Sequence, residues 1–317
     1  MIVHAPSAWI YDDSDSDEEL YYQPRPQAFA LGAHAVVSPT SPPKQPQAQL
    51  PAGWSHTPQT LPIDGRDPED LLFRVHDAKF ASPLTADGFT ATSSQFRPDG
   101  QPLSGTKWRA QFNNLYFSRD FRKSDTTREA IIKHVLGGWP GYTGKGFTGP
   151  SNWISTTESF DWAVWEITRR LVVLRRPSVG LSLLDRTIYY PRGYKGNRCI
   201  VEDAEEAINA YGKDYWLDPD QTTARNYSRS SSEMVYLGRI FHKDILETEW
   251  WTAKSPPYSW NAPFMESFFK PKGHRRGGSW LDWLVFDPKG PFSAAAKKMD
   301  ERREQLRTSR RVYYDSD

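Results

Sequence analysis

The sequence predicts an α+β protein, one domain of short strands and flanking helices between two disordered termini. Three observations lead there. Short β-favourable segments are interleaved with segments whose apolar residues recur at helical spacing. Eleven of the 13 Trp lie between Trp108 and Trp283, which locates the folded mass in the middle of the chain. The hydrophobic fraction of 38% and mean hydropathy of −0.70 are low for a chain folded along its whole length.

Composition narrows the class. At 317 residues the chain holds one large domain or two small ones. Forty basic against 39 acidic side chains leave a net charge of +1, so no global field draws it to nucleic acid or membrane. Cys199 is the only cysteine, which rules out an internal disulfide and fits a reducing compartment. The start, Met1 to Pro6, lacks a basic region followed by a long apolar run, and no stretch nears the ~18 apolar residues of a membrane span. The expectation is a soluble intracellular protein, cytoplasmic or nuclear.

Residues 1–69 read as a disordered arm. Asp12 to Glu19 carries six acidic residues in eight, and Pro24 to Pro68 is rich in Pro, Gln, Ser and Ala. Such a segment buries too little apolar surface to offset its ordering entropy. Ser14 and Ser16 within the acidic run also resemble acidic-directed kinase sites. Residues 70–290 form the expected domain, and 291–317 a charged tail.

Leu71 to Val75 is the first strand, apolar and short. Ala81 to Ser118 reads as loop, broken by Pro, Gly, Ser and Thr. Thr126 to Leu136 reads as a helix, with Thr126 and Glu129 as a capping box and Gly137-Gly138 as its stop. Gly137 to Pro150 is a glycine-punctuated loop before a strand at Trp153-Ile154. In the next helix, from about Glu158 to Leu171, Phe160, Ala163, Val164, Ile167 and Leu171 fall on one face. Gly180 to Leu184 is a strand, Asp203 to Tyr211 a short helix, and Met234 to Phe241 a closing strand. After Trp250 the chain is aromatic and irregular to about Phe286. Lys297 to Arg311, with seven basic and three acidic residues, reads as a frayed helical tail.

Three separated segments carry the functional signal: Leu71-Leu72-Phe73-Arg74-Val75-His76, Trp153-Ile154-Ser155-Thr156-Thr157 and Ser231-Ser232-Glu233-Met234-Val235-Tyr236-Leu237. Arg74 on a strand offers a rigid fork of donors matched to phosphate or ribose oxygens. Ser155-Thr156-Thr157, at a strand end opening a helix, is either a polar shelf for an anion or a plain N-cap. Glu233 opening a buried strand can accept from a sugar hydroxyl and favour positive charge forming on a ribose.

In that order the segments resemble the arginine–serine–glutamate class of ADP-ribosyltransferase-fold proteins, and among them a group of fungal domains of unassigned function. The resemblance covers about residues 70–250. It implies an ADP-ribosyltransferase-like split β-sandwich of two small sheets, with a nicotinamide cleft between them and NAD as substrate. Arg74 would hold the cofactor phosphates and ribose. Ser155 would position Glu233, and Glu233 would stabilise the cation formed as nicotinamide leaves. Thr156, Thr157, Trp153 and His76 join the cofactor-binding candidates. Phe147, Trp153 and Tyr236 are candidates to stack on a ring of NAD.

One position departs from the family pattern. Active transferases of this class usually carry Gln or Glu two residues before the catalytic glutamate, facing the acceptor, and here that position is Ser231. Protein-acceptor transfer is therefore in doubt, whereas hydrolysis of NAD needs only water. The alternative is a catalytically degenerate protein-interaction module on the same fold, to which the tryptophan-rich stretch from Trp250 to Trp283 and the charged ends would contribute. His76 either lines the pocket or is a half-buried structural histidine. The histidines lack ligand spacing, so no structural metal is expected. The run Gly141 to Gly146 lacks phosphate-loop spacing and reads as a surface loop. The basic tail carries acidic interruptions and no readout motif, which makes nucleic acid an unlikely partner.

Overall fold

The computed structural model describes residues 71–79, 82–117, 125–138, 150–185, 201–209, 219–255, 257, 263–275 and 278–314. The expected arm, Ser14 and Ser16, the run 141–146, Phe147 and Cys199 lie outside the described residues.

The architecture is mixed helix and antiparallel sheet. In chain order the elements are β1 (Leu71–His76), β2 (Gly88–Thr90), α1 (Gly105–Phe117), α2 (Asp125–Gly138), β3 (Trp153–Thr157), α3 (Phe160–Val172), β4 (Val179–Asp185) and β5 (Val201–Asp203). There follow α4 (Ala204–Asn209), α5 (Pro219–Ser231), β6 (Glu233–Leu237), β7 (Arg239–Phe241), β8 (Ile245–Trp251) and α6 (Phe292–Tyr314). Six strands form one sheet in the order β5-β6-β3-β1-β4-β8, and β2 pairs with β7 in a second, two-stranded sheet.

The large sheet is held unevenly. β1 pairs with β4 at six positions from Leu71↔Asp185 to His76↔Gly180, and β3 with β6 at five from Trp153↔Leu237 to Thr157↔Glu233. Between β1 and β3 a single pair, Phe73↔Thr157, is in register. The sheet is thus two zipped halves touching at one end of a seam.

Alternation along β1 sends its side chains to two cores. Leu71, Phe73 and Val75 join a cluster with Ala163, Ile167 and Leu171 of α3. Leu72 enters the other, with Ile131 and Val135 of α2, Ile208 of α4 and Ala224 of α5. Arg74 and His76 share the face of Leu72, and Phe89 of β2 lies against both.

Several segments differ from the sequence expectation. Gly105–Phe117, within the stretch read as loop, is helical because Trp108 and Phe112 stack one turn apart, 5.0 Å between ring centroids. The segment Pro219–Ser231 before Glu233, to which the sequence reading gave no element, is α5. The N-cap of α3 is Ser159, whose hydroxyl accepts from the Trp162 amide at 3.1 Å, and not the Ser-Thr-Thr run. The closing strand breaks at Gly238 (φ 77), where a Cβ would strike the Phe96 ring, so the chain leaves the large sheet as β6 and enters the small one as β7.

The frayed tail is also corrected. The first half of α6 is docked, with Ala295 and Met299 buried in the α3 core, Arg303 paired with Asp161, and the Arg302 Nε donating to the Phe269 carbonyl at 3.0 Å. Trp251 and Trp280 are buried in that core too, their ring centroids 5.9 Å apart, so they build the fold and offer no docking surface.

Candidate functional site

The site is assembled around Ser155, midway along β3 and beside the seam with β1. Its backbone carbonyl accepts from Nη1 of Arg74 across the seam, at 2.5 Å. Its hydroxyl lies 2.8 Å from Nε2 of His134 on α2, and it acts to lower the carboxyl of Glu233 on the neighbouring strand β6. Arg74, Ser155 and Glu233 are 81 and 78 positions apart along the chain, yet they meet through this one residue.

Arg74 is held hard. It is 1% exposed, its Nη2 donates to the Ser82 carbonyl at 3.2 Å, and its guanidinium carbon stands 4.5 Å from the Phe89 ring centroid. Burial, with the nearby Arg170 charge, pulls Arg74 down to about 9. It remains a cation at neutral pH, in surroundings where that charge is costly and where an anion would lower the cost.

Glu233 is 6% exposed. Burial pushes its carboxyl up to about 7, against the lowering effect of the nearby Ser155 hydroxyl. The turn that aims it is strained. Ser232, between the last residue of α5 and the first of β6, has φ 45, and its carbonyl accepts from the Glu158 amide at 3.1 Å. This left-handed residue reverses the chain within one step and sets Glu233 opposite Thr157.

The other candidates are committed to the fold. Thr156 donates to the Met234 carbonyl at 2.9 Å, and Thr157 donates to the Ser231 carbonyl while accepting from the Ser159 amide. They clamp β3 to β6 instead of forming a shelf. Trp153 and Tyr236 are buried in the α2 core. The Ser231 hydroxyl turns back into α5, donating to the Tyr227 carbonyl at 2.8 Å, so it is not presented to an acceptor. His76 is buried, with Nε2 3.0 Å from the Ser182 hydroxyl and its ring edge-on to Phe89 and Trp250. It supports the strand behind Arg74. A Cβ at residue 180 would come 2.3 Å from its Cε1, which is why β4 carries glycine there.

His134 was missed in the sequence. It lies inside α2, one turn after Ala130, and helical position alone did not separate it from a solvated histidine. Burial and the Arg74 charge hold its imidazole down at about 3. Among the described residues no group of three or more His, Cys, Asp or Glu side chains is placed to hold a metal ion, and no helix is long and apolar enough to cross a membrane.

Chemically, the site offers a desolvated cation, a hydroxyl and a carboxyl raised toward neutrality, on three neighbouring inner strands of the large sheet. No protein-family model matches the chain, and no curated protein matches it.

Proposed function

We propose that the chain binds NAD along the seam between β1 and β3 and cleaves its nicotinamide N-glycosidic bond, as an ADP-ribosyltransferase-like protein acting chiefly on water. The observation that carries this is the bond from Arg74 to the Ser155 carbonyl on β3, with Glu233 on the next strand, buried and raised toward neutrality. Unequal strand pairing favours a binding seam there, since β1 and β3 are in register at one pair, Phe73↔Thr157.

In this reading the fork of Arg74 meets the pyrophosphate, whose charge relieves the crowding of two buried cations, Arg74 and Arg170. The C–N bond breaks with its electron pair going to the nicotinamide ring nitrogen, which loses its positive charge. The ribosyl carbon becomes cationic, and the Glu233 carboxylate stabilises it. Water then bonds that carbon and gives its proton to Glu233. Transfer to a protein side chain is the weaker form of the reading, because Ser231 is turned into α5 and the residues Pro219–Ser231 before Glu233 are helical.

Nicotinamide release from NAD is the test. Glu233→Gln is expected to lower the rate about 100-fold or more, and Arg74→Ala to raise KM. A wild-type rate equal to that of Glu233→Gln removes the catalytic reading. The burial of both Arg74 and Glu233 also favours a degenerate interaction module. Calorimetry separates the two: no heat at millimolar NAD leaves the module.

A further inference from the structure

We propose that the outer edge of β8 is a docking strand for a basic partner, an extended segment of another protein that adds to the sheet and sets Lys or Arg at alternate positions against Glu247 and Glu249. The proposal is independent of the NAD reading.

β8 closes one end of the large sheet. Its inner side pairs with β4 at six positions from Val179↔Trp251 to Leu184↔Ile245, and among the described residues no strand pairs with its other side. A strand so placed presents a row of backbone donors and acceptors, which an added strand satisfies. Ile245 to Trp250 are half-buried, so the edge lies within reach of a partner.

The side chains decide what kind of partner fits. Thr248 and Trp250 share the face of Arg74 and are committed inward. The Thr248 Oγ1 lies 2.7 Å from the Ser182 hydroxyl, and the Trp250 ring stands edge-on to His76, 5.1 Å between centroids. Alternation leaves Glu247, Glu249 and Trp251 on the other face, opposite Leu183, Leu181 and Val179 of the α3 core. Trp251 is buried, and its Nε1 donates to Glu249 Oε2 at 3.1 Å. The accessible chemistry of the edge is therefore acidic, two carboxylates two residues apart. The cations that flank them in sequence, Lys243 and Lys254, lie in the turn before β8 and past its end.

Two plainer readings compete. Glutamates on an edge can serve only to keep other strands away. A guard of that kind works best with both oxygens in water. Glu247 is not placed so: its Oε2 is buried with no hydrogen-bond partner, and burial with the Glu249 charge pushes the carboxyl up to about 7. A cationic donor from outside supplies the missing hydrogen bond and offsets the repulsion within the pair. The second reading makes the occupant another copy of this chain. Pairing antiparallel about Thr248 would set Glu247 of each chain against Glu249 of the other, and like charges directly opposite destabilise a strand pair. A lysine or arginine opposite each glutamate turns the same two positions into favourable pairs.

The test uses the full chain and two fluorescein-labelled peptides of one composition, Thr-Lys-Val-Lys-Thr-Val with alternating lysines and Thr-Lys-Lys-Val-Thr-Val with adjacent ones. Adjacent lysines can face only one of the two glutamates, so anisotropy should show the alternating peptide binding about fivefold more tightly. The double variant Glu247→Gln/Glu249→Gln should bind it about tenfold more weakly and lose the preference. Glu247→Lys/Glu249→Lys should select instead a peptide with glutamates in place of the lysines. With the alternating peptide bound, alternate amides between Leu246 and Trp250 should gain protection from hydrogen exchange, the mark of strand addition. No binding at millimolar peptide, equal affinity for the two peptides, a preference that survives in the Gln variant, or unprotected β8 amides overturns the proposal. So does a dimer in light scattering whose β8 amides are protected without peptide. None of these outcomes depends on turnover of NAD.

Discussion

Arg170 is the charge on which the neighbourhood of Arg74 depends, and it is itself contained by two buried carboxylates. Its Nη1 lies 3.2 Å from Asp77 Oδ2 and its Nε 2.7 Å from Glu166 Oε1, while Arg169 bonds Glu166 from the same helix. Asp77 follows β1 directly, so this network ties the strand that bears Arg74 to α3. Removing one partner of a buried ion pair strands the other charge, and the cost far exceeds what the pair contributes by attraction. Asp77→Ala is therefore expected to lose about 3 kcal/mol in denaturant unfolding, near the lower end for such sites because Glu166 stays. The exposed Glu129–Lys133 pair is the control, and Glu129→Ala should change stability by less than about 0.5 kcal/mol. Equal losses in the two variants would mean that the Asp77 network is solvated and does not anchor β1.

At the scale of elements, the joint between α5 and β6 decides where Glu233 sits. Ser232 occupies a left-handed conformation that a side chain disfavours by roughly 1 kcal/mol and glycine does not. Ser232→Gly should raise stability by about 0.5–1 kcal/mol, and the β-branched Ser232→Val should lower it by more than that, measured as shifts in unfolding midpoint. The same joint explains what the sequence concealed. β1, β3 and β4 were legible as short apolar, β-favourable runs, and α3 because its apolar residues recur at helical spacing. α5 was not, since its buried face is Ala224, Ser228 and Ser231, small residues that keep helical spacing but carry no hydrophobic signal. α6 hid in the same way, its anchors Ala295 and Met299 scattered among charges. Arg74, Ser155 and Glu233 were legible as a trio from residue type and order. Their meeting depends on strand register, and His134 on a helix-to-sheet approach, neither of which a linear pattern encodes.

For the molecule as a whole, two hydrocarbon cores flank a sheet whose seam holds titratable groups out of water, and this makes stability a function of pH. Glu233 ionises near 7 when folded and near 4.5 when unfolded. The native state thus binds the extra proton between those values, and stability falls as pH rises through that window, by about 3 kcal/mol in all. Glu247, also raised to about 7 by burial and by Glu249, acts in the same sense but more weakly, because it is half exposed. His76 and His134 work oppositely. Both are held neutral in the fold, so unfolding takes up protons as pH drops below about 6.5, and stability is lost on that side. The wild type should accordingly be most stable near pH 6.5. Glu233→Gln, which keeps the shape of the protonated carboxyl, isolates one contribution from the rest. Its stability should match the wild type at pH 4 and exceed it by up to about 3 kcal/mol at pH 8. A pH-independent difference would mean that Glu233 ionises as an ordinary surface carboxylate. A growing one would mark it as a group kept at a cost to the fold, which is the expected signature of a residue retained for binding or chemistry.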